Sequence, residues 1–93
     1  MSKPVTWTRR ATRTLTVILH YAADSDPDAA EALRNTIVDR AEQLGHFPQL
    51  GPPSLRGTRK LVVTGTPYML FYRETLERVD IVGLWHHKLR KRG

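Results

Sequence analysis

The last third of the chain carries Arg59, Lys60, Arg73, Lys88, Arg90, Lys91 and Arg92, with Tyr68, Tyr72 and Trp85 among them. Cationic side chains neutralise phosphate and aromatic rings stack on bases, so this mixture has the chemistry of an RNA-holding surface. The plainer reading is that Tyr72 and Trp85 are packing residues and that the terminal Lys-Leu-Arg-Lys-Arg run is a solvated end. Strand alternation places Tyr68, Leu70 and Tyr72 on one face and Met69 and Phe71 on the other. One of these sets must be buried, so not all the aromatics are available to a ligand.

His86 and His87 are adjacent. In an extended chain their side chains point to opposite faces, which makes joint chelation of one metal ion a poor reading. A single histidine can serve as a general acid or base because imidazole titrates near neutrality. The alternative, which position alone favours, is a pair of polar residues at a strand end. Asp80 sits in an expected strand without an evident carboxylate partner, and Ser25 and Ser54 fall in turns, where hydroxyls commonly hold local backbone. Gly65-Thr66-Pro67 reads as a hairpin turn and not as a phosphate loop. No cofactor and no metal site are expected.

The formal net charge is +6, unevenly spread. Residues 1–23 carry +4 with no acid, residues 24–58 carry −3, and residues 59–93 carry +5. Such a surface suits an anionic partner, nucleic acid or an acidic protein segment, or it merely keeps the chain dispersed. There is no cysteine, which excludes disulfides and thiolate metal sites and fits a reducing cytoplasm. The start, Met1 to Arg10, has no signal-peptide pattern, and no apolar run approaches the roughly 18 residues of a membrane span. A cytoplasmic location without membrane contact is expected.

The 93 residues suit a single domain spanning 1–93. Val5 and Trp7 alternate with Thr6 and Thr8, suggesting a short opening strand, and Thr8 can cap the helix that follows. Ala11, Leu15, Ile18, Leu19 and Ala22 form one apolar helical face, which Tyr21 is expected to extend. Asp24 to Asp26 ends that helix. Asp26 is the expected N-cap of a second one, with Pro27 in its first position and Asp28 and Glu31 near its positive end. Ala30, Leu33, Ile37, Ala41 and Leu44 repeat along it, and Gly45 is its expected C-terminal cap. The two helices form an antiparallel hairpin. His46 to Thr58 reads as a loop pinned to the core by Phe47, Leu50 and Leu55 and stiffened by prolines. Leu61–Val63, Tyr68–Tyr72 and Val79–Trp85 are three expected strands. The fold class is therefore α+β, in the order β-α-α-β-β-β, with the hairpin packed on one face of an antiparallel sheet.

In this order and spacing the chain resembles the RelE/ParE superfamily of toxins from bacterial type II toxin–antitoxin modules. The resemblance spans nearly the whole chain. It rests on Val5-Thr6-Trp7, His20-Tyr21-Ala22 leading to Asp26-Pro27-Asp28-Ala29-Ala30, Leu44 through Gly51, Gly57 through Val63, Pro67-Tyr68 through Phe71-Tyr72-Arg73, and Val79-Asp80-Ile81-Val82 through His86. It implies a helical hairpin on an antiparallel sheet. It also implies neutralisation by a small cognate antitoxin, with promoter DNA bound only through the toxin–antitoxin complex.

The superfamily has two branches. RelE-like members cut mRNA on the ribosome with basic residues on the central strands and a C-terminal Tyr or His. ParE-like members act on DNA gyrase and have no established catalytic residues. In the RelE pattern Lys60 matches the first strand lysine, but the second falls on Val62 and the arginine after Tyr68 falls on Met69. His86 or His87 would take the terminal position. Two missing cations where phosphate charge develops argue against a nuclease. Gly57-Thr58-Arg59-Lys60-Leu61, with Pro67-Tyr68 and Tyr72-Arg73, is more similar to ParE. The resemblance thus implies a gyrase inhibitor, with Arg59, Tyr68, Arg73, His86, Lys88 and Arg90 as target-binding residues. The alternatives are an mRNA endoribonuclease using Lys60, Arg73 and His86 or His87, and an inactive member that only binds its antitoxin.

Overall fold

The computed structural model describes residues 2–86. Its elements are β1 (Val5–Trp7), α1 (Arg9–Ser25), α2 (Pro27–His46), a short 3-10 turn (Leu55–Gly57), β2 (Arg59–Val62), β3 (Tyr68–Glu74) and β4 (Val79–His86). His87, Lys88 and Arg90, named above as site residues, lie outside the described residues.

Local chemistry sets the helix boundaries. The Thr8 hydroxyl accepts the Ala11 N–H at 3.1 Å and starts α1. Asp26 ends α1 and begins α2. Its backbone N–H closes onto Ala22 O at 3.0 Å, and its carboxylate accepts from Asp28 N at 3.0 Å. Pro27, having no N–H to lose, follows it at the first helical position. The second helix turns Ile37, Ala41 and Leu44 fully into the core, where each large aliphatic side chain contributes about 1.5–3 kcal/mol by burial.

The sheet order is β1-β4-β3-β2. The pairs β2–β3 and β3–β4 are antiparallel, as hairpin-linked strands must be. The first of these hairpins turns at Thr64-Gly65, where Gly65 adopts φ 85° and the Thr66 N–H returns to Val63 O. The opening strand departs from the antiparallel expectation, because β1 runs parallel to β4. No tight turn links these two strands, so nothing local sets their relative direction, and the sheet is mixed. Helices and sheet share one core of Ala11, Ile37, Ala41 and Leu44 with Leu61, Val63, Leu70, Tyr72, Val79, Ile81 and Leu84.

Three local expectations give way to tertiary contacts. Gly45 is not a cap, because α2 continues to His46 and Phe47 closes it through N–H to Gln43 O. Gly45 is glycine because the chain start crosses here. Its carbonyl accepts the Lys3 N–H at 2.9 Å, and a Cβ would sit 2.5 Å from Lys3 O. Tyr21 does not extend the buried face, being 82% exposed. Phe47, Leu50 and Leu55 do not pin the long loop either, since all three are exposed. The loop is held from within the sheet by Tyr72. This side chain is fully buried, and its hydroxyl accepts from Gly51 N at 2.9 Å and donates to Pro48 O at 2.7 Å.

Candidate functional site

Strand register divides the candidate residues between two faces. Arg59 stands opposite Tyr72, and Tyr68 opposite His86, on the helix-covered side. The Tyr68 and His86 rings meet edge to face with centroids 5.3 Å apart. Arg59 donates from Nη1 to Gly51 O at 2.7 Å, which makes it a second tie on the long loop. Lys60 and Arg73 fall on the opposite, open side. The geometry therefore groups Tyr68 with His86, and places Lys60 and Arg73 on the other face.

The open face is built in cross-strand rows. Val62, Met69 and Trp85 form one row, and Lys60, Phe71 and Gly83 the next. Arg73 and Asp80 follow on β3 and β4. The register shifts between Phe71 and Tyr72, so Val82 bulges out of β4 and the rows on either side are offset. Met69 and Phe71 are buried although they point away from the helices. The expected choice between two buried sets therefore resolves as burial on both faces, with Tyr68 alone of the five only partly buried.

Charge on this face is arranged by pairing the acids. Asp80 accepts from the Thr6 hydroxyl at 2.6 Å and from Arg78 Nε at 2.7 Å. The Thr6 hydrogen bond first, then the Arg78 contact, hold its carboxyl below the usual range. On the other face Glu74, opposite the core residue Val79, is paired with Lys3 at 2.7 Å. Exposed pairs of this kind add little stability, but they leave the basic groups in excess.

That excess collects in a cleft of about 470 Å³ where the 3-10 turn, the first turn of α1 and the β4 bulge meet. Its walls are Arg10, Arg56 and Arg73 with Leu55, Phe71 and Trp85. Arg56 is in the left-handed region, at φ 56° and ψ 44°, which is costly for a side chain with a Cβ. Its carbonyl accepts from Arg73 Nη2 at 3.2 Å, tying the turn to β3. Trp85 is half exposed and lies across Gly83, where a Cβ would come 3.2 Å from its Nε1. Phe71 supports it edge to face at 6.0 Å. Among the described residues, the cleft lining contains no carboxylate and no imidazole. The described lining can hold an oxyanion beside a flat apolar group.

Sequence reasoning did not single out Arg10 or Arg56. Arg10 was one of several arginines on α1, and only the fold brings it beside Trp85. The Arg56-Gly57 dipeptide was a weak signal, since Gly57 has φ 74° and consecutive left-handed residues make a sharp turn. Among the described residues, no group of three or more His, Cys, Asp or Glu side chains is arranged to hold a metal ion. Nor is any described helix long and apolar enough to cross a membrane.

Residues 5–89 match the family model for the ParE toxin of type II toxin–antitoxin system, parDE. A protein of Sinorhizobium fredii that carries the toxin name Y4kP is 35% identical over 85 residues, covering 90% of this chain and 88% of that protein. Toxin RelE2 of Caulobacter vibrioides is 33% identical over 82 residues, covering 88% of this chain and 92% of the relative. The fold matches a chain of a chromosomal ParDE toxin–antitoxin system from P. aeruginosa with a TM-score of 0.79. That match has 24% identity and covers 91% of this chain and 96% of the other.

Proposed function

The chain belongs to the ParE toxin family of type II toxin–antitoxin systems, and from that premise we propose that it inhibits DNA gyrase when its antitoxin is absent. As a toxin of such a module it has a cognate antitoxin as partner. The gyrase reading places its action in the cytoplasm.

The observation that carries this reading is the row Val62–Met69–Trp85 across the open face. A phosphodiester-cleaving site needs cations where charge accumulates in the transition state. This row is apolar at two of the positions where the RelE pattern has them, which suits a protein contact better than bond cleavage. Arg59, Tyr68, Arg73 and His86 remain the described residues proposed for target binding, and the split between faces assigns them two contact areas. Purified toxin added to a gyrase supercoiling reaction should inhibit it. Folded toxin without effect at large excess would remove the proposal.

The likeness to Toxin RelE2 favours a second reading, ribosome-dependent mRNA cleavage with Lys60, Arg73 and His86 or His87. Primer extension on translated mRNA after induction tests it. New 5′ ends in the absence of gyrase inhibition would replace the first reading with the second.

A further inference from the structure

We propose that the outer face of the helical hairpin pairs two copies of this chain, α1 antiparallel to α1, with Tyr21 of each copy seated in a hollow of the other.

Arg10, Arg13, Val17, Tyr21 and Asp24 recur at three- and four-residue spacing along α1, and all are exposed. They form its outer ridge, on the side away from the core contacts of Ala11, Leu15 and Ile18. Cations stand at one end and an acid at the other. Apolar area lies between them, with Val17 61% exposed and Tyr21 82% exposed. No ion pair among the described residues involves α1. A lone exposed tyrosine needs no partner. A ridge of this polarity matches itself, because a second copy laid antiparallel presents an acid to the cations and apolar area to apolar area. A two-fold axis beside Leu19 sets Val17 against the partner's Tyr21 and Arg13 against the partner's Asp24. It also brings the partner's Asp28 toward Arg10. The net charge of +6 opposes association in general, but residues 1–23 carry +4 and residues 24–58 carry −3, so this pairing joins opposite signs.

Beside the ridge, between α1 and α2, lies an open hollow of about 410 Å³. Leu19, Ala23 and Ala30 give it an apolar floor, and the exposed His20, Glu31 and Arg34 stand at its edge. The chain's own Tyr21 is not part of this lining. A phenol fits such a place, with its ring over the alanines and its hydroxyl within reach of Glu31 or Arg34. An aromatic side chain seated in a pocket is the usual energetic centre of a protein interface. One helix pair with two seated rings lies at the low end of specific interfaces, below about 1,200 Å² in total. The dimer is therefore weak and its population depends on concentration. This inference concerns association of the chain with itself and does not depend on gyrase being the target.

The test is analytical ultracentrifugation of the full chain from about 10 µM to 1 mM, where a weak dimer should appear with a midpoint on the order of 100 µM. Amide resonances of Tyr21, Ala23 and Ala30 should shift over the same range, and those of β2 should not. Tyr21→Ser should weaken association at least about tenfold. Leu76→Ser, at a 95% exposed residue in the β3–β4 turn, should leave it unchanged. Charge reversal tests the register. Arg13→Glu alone sets like charges together at both ends of the interface, and so does Asp24→Arg alone, so each variant should be monomeric. An equimolar mixture of the two matches opposite charges at both ends, and it should associate about as well as the wild type. These positions are exposed, so the variants keep their fold, and circular dichroism checks it. A mixture that associates no better than its two components would overturn the proposal, as would equal effects of Tyr21→Ser and Leu76→Ser. A wild-type chain still monomeric at 1 mM would leave this face to a different protein and overturn it as well.

Discussion

The Tyr72 hydroxyl accepts the backbone N–H of Gly51 at 2.9 Å from inside the core, across 21 residues of sequence. The same oxygen donates to Pro48 O at 2.7 Å, so one phenol holds the loop that leads into β2. Burial pushes this phenol above its ordinary pKa, with the Gly51 N–H and the Arg59 charge pulling in the other direction.

Tyr72→Phe keeps the ring and removes both bonds. It leaves a buried donor and acceptor without that partner, so the cost should be about 1–3 kcal/mol. Urea unfolding measures this cost. Hydrogen exchange at the Gly51 amide should accelerate beyond the global change, because the loop loses its anchor while the core keeps its packing.

Gly45→Ala separates helix propensity from close packing. Propensity alone would stabilise α2 by about 1 kcal/mol. The added Cβ, however, would sit 2.5 Å from Lys3 O and 3.3 Å from Val5 Cγ2. A backbone carbonyl tied to the same turn cannot move aside cheaply, so overpacking of about 1–3 kcal/mol should prevail. A raised melting temperature for this variant would contradict the assigned role of Gly45.

Arg56→Gly should raise stability. Glycine relieves the left-handed backbone at φ 56°, and the variant should gain about 0.5–1 kcal/mol after its own entropy cost. Thermal melts of the variant beside the wild type check this, and a lowered melting temperature would contradict it.

Asp80 gives the protein an acid-sensitive link between β1 and β4. Its carboxyl has a folded pKa below the unfolded one, mainly through Thr6 and then Arg78. The contribution is therefore present above the unfolded value of about 3.9 and disappears as pH falls through the folded value. Asp80→Asn should flatten the loss of stability below about pH 4 and lower stability at neutral pH. Urea midpoints measured from pH 3 to 7 give the comparison. An unchanged slope would mean that another carboxylate dominates acid unfolding.

Features governed by neighbours in sequence were legible without a structure. The caps at Thr8 and Asp26, the core positions Ile37, Ala41 and Leu44, and the hairpin strands all follow from capping chemistry and from periods of 3.6 and 2 residues. Residue order and spacing likewise placed the chain in its toxin superfamily. Long-range geometry decided what these signals cannot encode. Thr6 meets Asp80 and sets a parallel edge, Lys3 requires glycine at position 45, and Tyr72 secures a loop that exposed Phe47 and Leu50 do not. Arg10 and Arg56 stood in the sequence as ordinary surface arginines. They became walls of one cleft with Arg73 only when the β4 bulge, the first turn of α1 and a left-handed turn met in space. Periodicity and capping act over a few residues, whereas register and close approach depend on partners tens of residues away.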